Sequence, residues 1–269
     1  MRNVKVLLKI LFFLTTLVYM IPGWIVLVNS FKPEVEANAL SAGLPEKVHL
    51  ENYINLFGTV NIIRPMLNGL FLGTVTVALS VVFASMAAFV IVRIGSKVTS
   101  LVYYIFLGGL VVPGAAIPTY IVLKSFSMLN TYQGLIAVFL AGAMPITVFL
   151  YSGFVKSVPT ELDEAAVMDG CGRLRLFFQI IFPLLKPVTA TVIVFNFINV
   201  WNAVDAFLYF SPAKMWAMPM TVYNFYGLYM HSWNMIFADI VITILPIIII
   251  YAMAQKFIIA GMTAGAVKG

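Results

Sequence analysis

The chain is poor in the residues that most chemistry needs: of 269 residues one is cysteine, two are histidine, and only 10% are charged. A lone cysteine, Cys171, excludes an internal disulfide and any cysteine-clustered metal site. His49 and His231 stand far apart, so there is no H-E-x-x-H zinc site, and no G-x-S-x-G nucleophile elbow occurs. Hydrolytic chemistry is therefore not expected. There is also no G-x-x-x-x-G-K-[ST] phosphate loop, so the chain is not expected to bind ATP itself.

What is abundant is apolar surface. A hydrophobic content of 62% and a mean hydropathy of +1.02 lie far outside the range of soluble domains, and predict an all-α integral membrane protein. Runs long enough to cross about 30 Å of hydrocarbon occur near 8–29, 67–92, 101–123, 133–151, 188–210 and 236–259. The spacing predicts six spans in a single transmembrane domain covering 1–269, with a loop over 152–187. Gly108, Gly109, Pro113, Gly114 and Pro118 mark the third span as one that can break. The first run follows Arg2, Lys5 and Lys9 and is too long for a signal-peptide core, so it reads as an uncleaved span.

Basic residues orient the chain. With the N-terminus inside, the cytoplasmic segments hold Arg2, Lys5, Lys9, Arg93, Lys97, Lys156, Arg173, Arg175, Lys186, Lys256 and Lys268, eleven of the sixteen. Both termini and the 152–187 loop then face the cytoplasm. The net charge of +6 follows from this topology and from anionic lipid, with no need of a nucleic-acid partner.

Charge gathers in one place. Glu161, Asp163, Glu164, Asp169, Arg173 and Arg175 crowd into fifteen positions, which marks a solvent-facing docking element. Thr160 is placed as N-cap of a short helix with Asp163 as its capping-box partner, and the acids of the first turn complement the helix dipole. Ala165 and Ala166 leave a smooth face for close approach, and Gly170 suits a C-cap. A second helical segment is expected from about Arg173, ended by Pro183 and Pro187 as the next span begins.

The run Glu164-Ala165-Ala166, Gly170, Ile180 and Phe182-Pro183 resembles the EAA loop of ABC importer permeases, where leucine is commoner at the position of Phe182. Asn29-Ser30-Phe31-Lys32-Pro33 and the C-terminal stretch from Gly261 through Gly269 are similar to the second permease subunit of the maltose-type, carbohydrate-importing branch. The resemblance implies a bacterial or archaeal cytoplasmic membrane protein. It would be half of a heterodimeric pathway, with a homologous permease, two ATPase subunits carrying ATP and Mg, and an extracytoplasmic sugar-binding protein. It further implies that Glu161, Glu164, Ala165, Ala166, Gly170 and Pro183 couple to the ATPase, and that Gly265, Ala266, Val267 and Lys268 approach it. The cofactors would sit in the partners and not in this chain.

Two further features bear on transport. Asn196, Asn199, Asn202 and Asp205 recur every three residues on the fifth span, a drifting polar stripe that suits either interhelical hydrogen bonds or a hydrated substrate path. Beyond it, Trp216, Tyr223, Phe225, Tyr226, Tyr229 and Trp233 surround His231 and suit either an interfacial belt or contact with sugar or a docked binding protein. An ion-coupled secondary transporter is the alternative, but Asp205 and Asp239 are expected near outer ends, with no basic partner evident.

Overall fold

A computed structural model describes residues 2–59, 61–226 and 232–266. Its regular elements are helices: α1 (Arg2–Asn29), α2 (Glu34–Ala37), α3 (Glu51–Thr59), α4 (Ile63–Ile94), α5 (Lys97–Val111), α6 (Ala116–Ser125), α7 (Tyr132–Ser157), α8 (Glu161–Met168), α9 (Arg173–Arg175), α10 (Phe182–Leu184), α11 (Lys186–Trp201), α12 (Val204–Phe210) and α13 (Trp233–Ala266). A π-helical turn, Leu176–Ile181, links α9 to α10, and two 3-10 turns lie between α12 and α13.

Among the described residues four helices are each long and apolar enough to cross a membrane: Leu7–Asn29 within α1, α4, α7 and Trp233–Ile258 within α13. A fifth span results if Arg173–Leu184 and Lys186–Trp201, bent by 79°, count as one. Two of the expected spans are split. The 101–123 span is divided into α5 and α6 by extended residues around Pro113 and Gly114, a break the glycines and prolines foretold. The 188–210 span is divided at Asn202 and Ala203, where the last turn of α11 closes on Asn202 and α12 starts afresh.

The chain forms two compact units, Met1–Met66 with Met218–Leu245, and Leu67–Ala217 with Pro246–Gly269. In the first, the Asn29-to-Pro33 motif is a polar lock. Asn52 Nδ2 on α3 donates to the carbonyls of Ser30 (2.9 Å) and Lys32 (2.8 Å), and Asn234 Nδ2 on α13 donates to Asn52 Oδ1 at 2.8 Å. Lys32 is buried and donates to Ser41 O and Oγ at 3.0 and 2.8 Å. The Ser30 and Tyr53 hydroxyls lie 2.7 Å apart, and burial pushes the Tyr53 phenol above its ordinary value of 10.0. These bonds satisfy backbone groups that a short, irregular segment cannot pair by itself. From Leu7 to Trp24 of α1 the apolar side chains are exposed, as suits contact with lipid or another subunit.

The second unit packs α5, α11 and α12 against α7. Glycine permits the closest approaches: a Cβ at Gly73 on α4 would meet the Phe197 ring at 2.6 Å, one at Gly69 the Trp201 ring at 2.8 Å, and one at Gly109 would meet Pro145 at 2.8 Å. Small residues at such crossings are the usual means of helix association in lipid, where packing rather than water exclusion supplies the attraction. Trp201, Tyr151, Phe207, Leu72 and Leu135 fill the core so formed.

Candidate functional site

The acidic run forms α8, and its three first-turn acids, Glu161, Asp163 and Glu164, face the positive end of the helix dipole. Its start differs from expectation. Thr160 is itself in the helical region and its side chain makes no cap, while its carbonyl accepts from the Asp163 and Glu164 amides at 2.9 and 3.1 Å. The capping box is absent because Asp163 turns elsewhere: Arg93 Nε lies 2.6 Å from its Oδ2. The end of α8 is as the glycine predicts. Gly170 takes φ +77, its amide donates to Val167 O at 3.0 Å, and the Cys171 amide donates to Ala166 O at 2.9 Å. That pair of bonds is a Schellman motif, which stops the helix rigidly.

The outer face of α8 is not the expected pair of alanines. Ala166 is buried and Ala165 is exposed. Leu162, Val167 and Met168 are exposed beside Glu161, Glu164 and Asp169, and Met168 is 88% accessible. An apolar strip rimmed by carboxylates suits insertion into an apolar groove with a basic border. Inward, Leu176, Phe177 and Ile181 of the π turn are buried, and the Phe177 ring packs on Phe89 of α4 at 5.5 Å. The expected second helical segment runs from Arg173 through the π turn to Leu184, and the chain bends at Leu185, between Pro183 and Pro187.

The polar stripe does not act as one surface. Asn196 is buried and spends both amide hydrogens inside the protein, on Ser80 Oγ of α4 (3.0 Å) and Thr147 Oγ1 of α7 (2.9 Å). Those hydroxyls donate onward to Val77 O and Ala143 O, while the buried Asn196 Oδ1 finds no hydrogen-bond partner among the described residues. Asn199 is exposed and its Nδ2 donates to Phe195 O at 2.8 Å. Asn202 ends α11, and Asp205, exposed, sits on α12, so the break removes the continuous helical stripe. A cavity of about 400 Å³ lies among Gly109, Gly142, Ala143, Pro145, Asn196 and Asn199. Leu110, Val138, Phe139, Ile146, Phe195 and Val200 complete its wall, so apolar surface surrounds the two amides.

Trp216 is half-buried, and its carbonyl, with that of Lys214, accepts from Asn68 Nδ2 of α4, each at 3.1 Å. Tyr132 OH donates to Asn68 Oδ1 at 2.8 Å, which fixes the amide. Tyr223 and Tyr226 are exposed, whereas Tyr229 and His231 lie outside the described residues. Gly265 and Ala266 end α13, and Val267 and Lys268 also lie outside the described residues. Asp239, expected near an outer end, is buried in α13. Sequence reading missed Arg93, Asn68, Ser80 and Thr147. Their one signal was polarity inside an apolar run, a cost in lipid that only a partner offsets. Among the described residues no cluster of three or more His, Cys, Asp or Glu could hold a metal.

The fold and this site define a polytopic helical permease, with a short acidic helix on a loop between its spans. The chain belongs to the family described as binding-protein-dependent transport system inner membrane component, which it matches over residues 1–264. It is 33% identical over 267 residues to the probable starch degradation products transport system permease protein AmyC of Thermoanaerobacterium thermosulfurigenes, covering 98% of this chain and 97% of that one. To the melibiose/raffinose/stachyose import permease protein MelC of Bacillus subtilis it is 30% identical, over 93% of this chain and 92% of that one. Among solved structures, a chain of a bacterial ABC transporter involved in the import of the acidic polysaccharide alginate superposes with a TM-score of 0.81 at 19% identity, covering 95% and 96% of the two chains. That likeness is one of fold. The chain is a multi-pass membrane permease, a transport component and not an enzyme.

Proposed function

We propose that this chain is the second permease subunit of a carbohydrate ABC importer. It pairs with a homologous permease and moves sugar or oligosaccharide inward from an extracytoplasmic binding protein. The observation that carries the coupling reading is α8: a short helix closed by a Schellman turn, exposing Leu162 and Met168 between Glu161 and Glu164. In this reading α8 sits in a groove on one of two ATPase subunits, which hold the ATP and Mg. Ala165 permits close approach, Ala166 braces the loop from within, the exposed Pro183 sets the start of α10, and Gly265–Lys268 makes a second contact. The carbohydrate reading is supported by relatives 30–33% identical over nearly the whole chain that are named for starch degradation products, for melibiose, raffinose and stachyose, and for multiple sugars.

Six crossings result when the split pairs α5–α6 and α11–α12 each count as one span. The distribution of basic residues supports a cytoplasmic side for both termini and α8. The substrate path then takes in Asn199, Asn202, Asp205 and Trp216, with Asn196 holding the helices beneath them. Docking of a sugar-loaded binding protein is supported by the likeness, at TM-score 0.59, to a chain of the alginate transporter solved with its pentasaccharide-bound periplasmic protein. The test is purification of the membrane complex followed by uptake of labelled raffinose, melibiose and maltotriose into vesicles. ATP-dependent uptake of at least one, requiring the binding protein, is expected. Uptake driven by a sodium or proton gradient without ATP would contradict the proposal.

A further inference from the structure

Arg93 closes the basic end of α4, and its guanidinium leaves that helix to grip two other elements. Nη2 donates to the Val158 carbonyl at 3.0 Å, just past the end of α7, and lies 3.4 Å from Asp163 Oδ1 on α8. Nε lies 2.6 Å from Asp163 Oδ2, and the two side chains are only 13% and 17% exposed. Among the described residues this is the one ion pair between side chains. Partial burial matters, because a pair shielded from water interacts more strongly than one on an open surface, and the planar fork lets one guanidinium hold a carboxylate and a carbonyl together.

Alongside the pair, α4 and α8 flank a cavity of about 420 Å³ lined by Met86, Phe89, Val90, Val167 and Phe177. The polar link therefore bridges a loosely filled region. Movement of α8 has two ways into the spans: through apolar packing of Ala166 onto the π turn, or through Arg93 into α4. The second way leads far. Ser80 of α4 accepts from Asn196, and Asn68 of α4 donates to the carbonyls of Lys214 and Trp216. At 1.5 Å per residue, Arg93 and Asn68 are about 37 Å apart along a single helix.

We propose that Arg93 is a positioning residue that passes displacement of α8 to α4, and through α4 to Asn196 and the segment holding Trp216. It touches neither sugar nor nucleotide. The proposal rests on the reading that α8 docks on the ATPase, and it adds the route by which docking reaches the far end of the permease.

The test uses the whole transporter in vesicles, with ATP hydrolysis and sugar uptake measured together. Singly, Arg93→Gln, Asp163→Asn, Arg93→Asp and Asp163→Arg should leave the ATPase bound and hydrolysing, while sugar moved per ATP falls by about fivefold. The double reversal, Arg93→Asp with Asp163→Arg, should recover a substantial part of that loss, which a merely structural role for either residue does not predict. Should the reversals fail to assemble, Arg93→Lys and Asp163→Asn carry the test, since the first keeps the charge but loses the fork. A wild-type ratio in Asp163→Asn, or a double reversal no better than its parents, overturns the proposal. Wild-type uptake that does not consume ATP would instead strike at the importer reading itself.

Discussion

Both carboxylate oxygens of Asp239 lie 2.8 Å from the hydroxyl of Thr221, and that hydroxyl is also 2.6 Å from the Met218 carbonyl. One hydroxyl proton cannot serve three acceptors. An amide at 239 brings protons of its own, so Asp239→Asn should melt no lower than wild type in detergent. Thr221→Val strands a buried acidic side chain and should cost about 1–3 kcal/mol. A marked loss in Asp239→Asn would show that the negative charge is needed.

Close helix contact supplies a second expectation. Gly73 leaves no room for a Cβ against the Phe197 ring, whose nearest atom would lie 2.6 Å away. Gly73→Ala should destabilise by about 1–3 kcal/mol through overpacking, and Phe197→Leu in the same chain should relieve part of it. A thermal-shift series on the four variants checks both statements.

The asparagines of α11 should part company. Asn196→Ala removes the donor that joins Ser80 to Thr147, so it should lower the melting temperature of the complex, with a net cost of about 0.5–1.5 kcal/mol per hydrogen bond lost. Asn199→Ala should leave stability alone and change the substrate dependence of uptake. The opposite pattern would move the path from Asn199 to Asn196.

How much of this was legible in the sequence follows from the range of each interaction. Glycine, proline and charge speak locally, so the left-handed turn at Gly170, the break near Pro113 and the acidic helix could be read directly. Partner choice is not local. Asp163 stands where a capping box is expected, yet it pairs with Arg93, 70 residues away. Periodicity likewise set Asn196 and Asn199 on one stripe, while packing against α4 and α7 buried the first and left the second exposed. Ala166 turned inward because the π turn lies beneath it, an irregularity that no apolar periodicity announces.

Orientation has its own test. With Cys171 replaced, a cysteine at the exposed position of Glu46 should react with an impermeant thiol reagent added to intact cells, and one at the exposed position of Lys97 should not. Labelling in the reverse sense would invert the topology.

The central claim is that α8 joins this permease to ATP hydrolysis, and its most direct measurement is ATP-dependent sugar uptake in vesicles, with ATPase copurification, for Gly170→Val and Glu164→Lys. Valine at φ +77 forces a β-branched residue into a left-handed conformation that costs an L-residue about 1–2 kcal/mol, and lysine reverses a charge on the exposed face. Both changes lie outside the spans, so the permease should still insert. The account predicts lost uptake, with the ATPase either released or hydrolysing without transport. Wild-type uptake and wild-type copurification in both variants would contradict it.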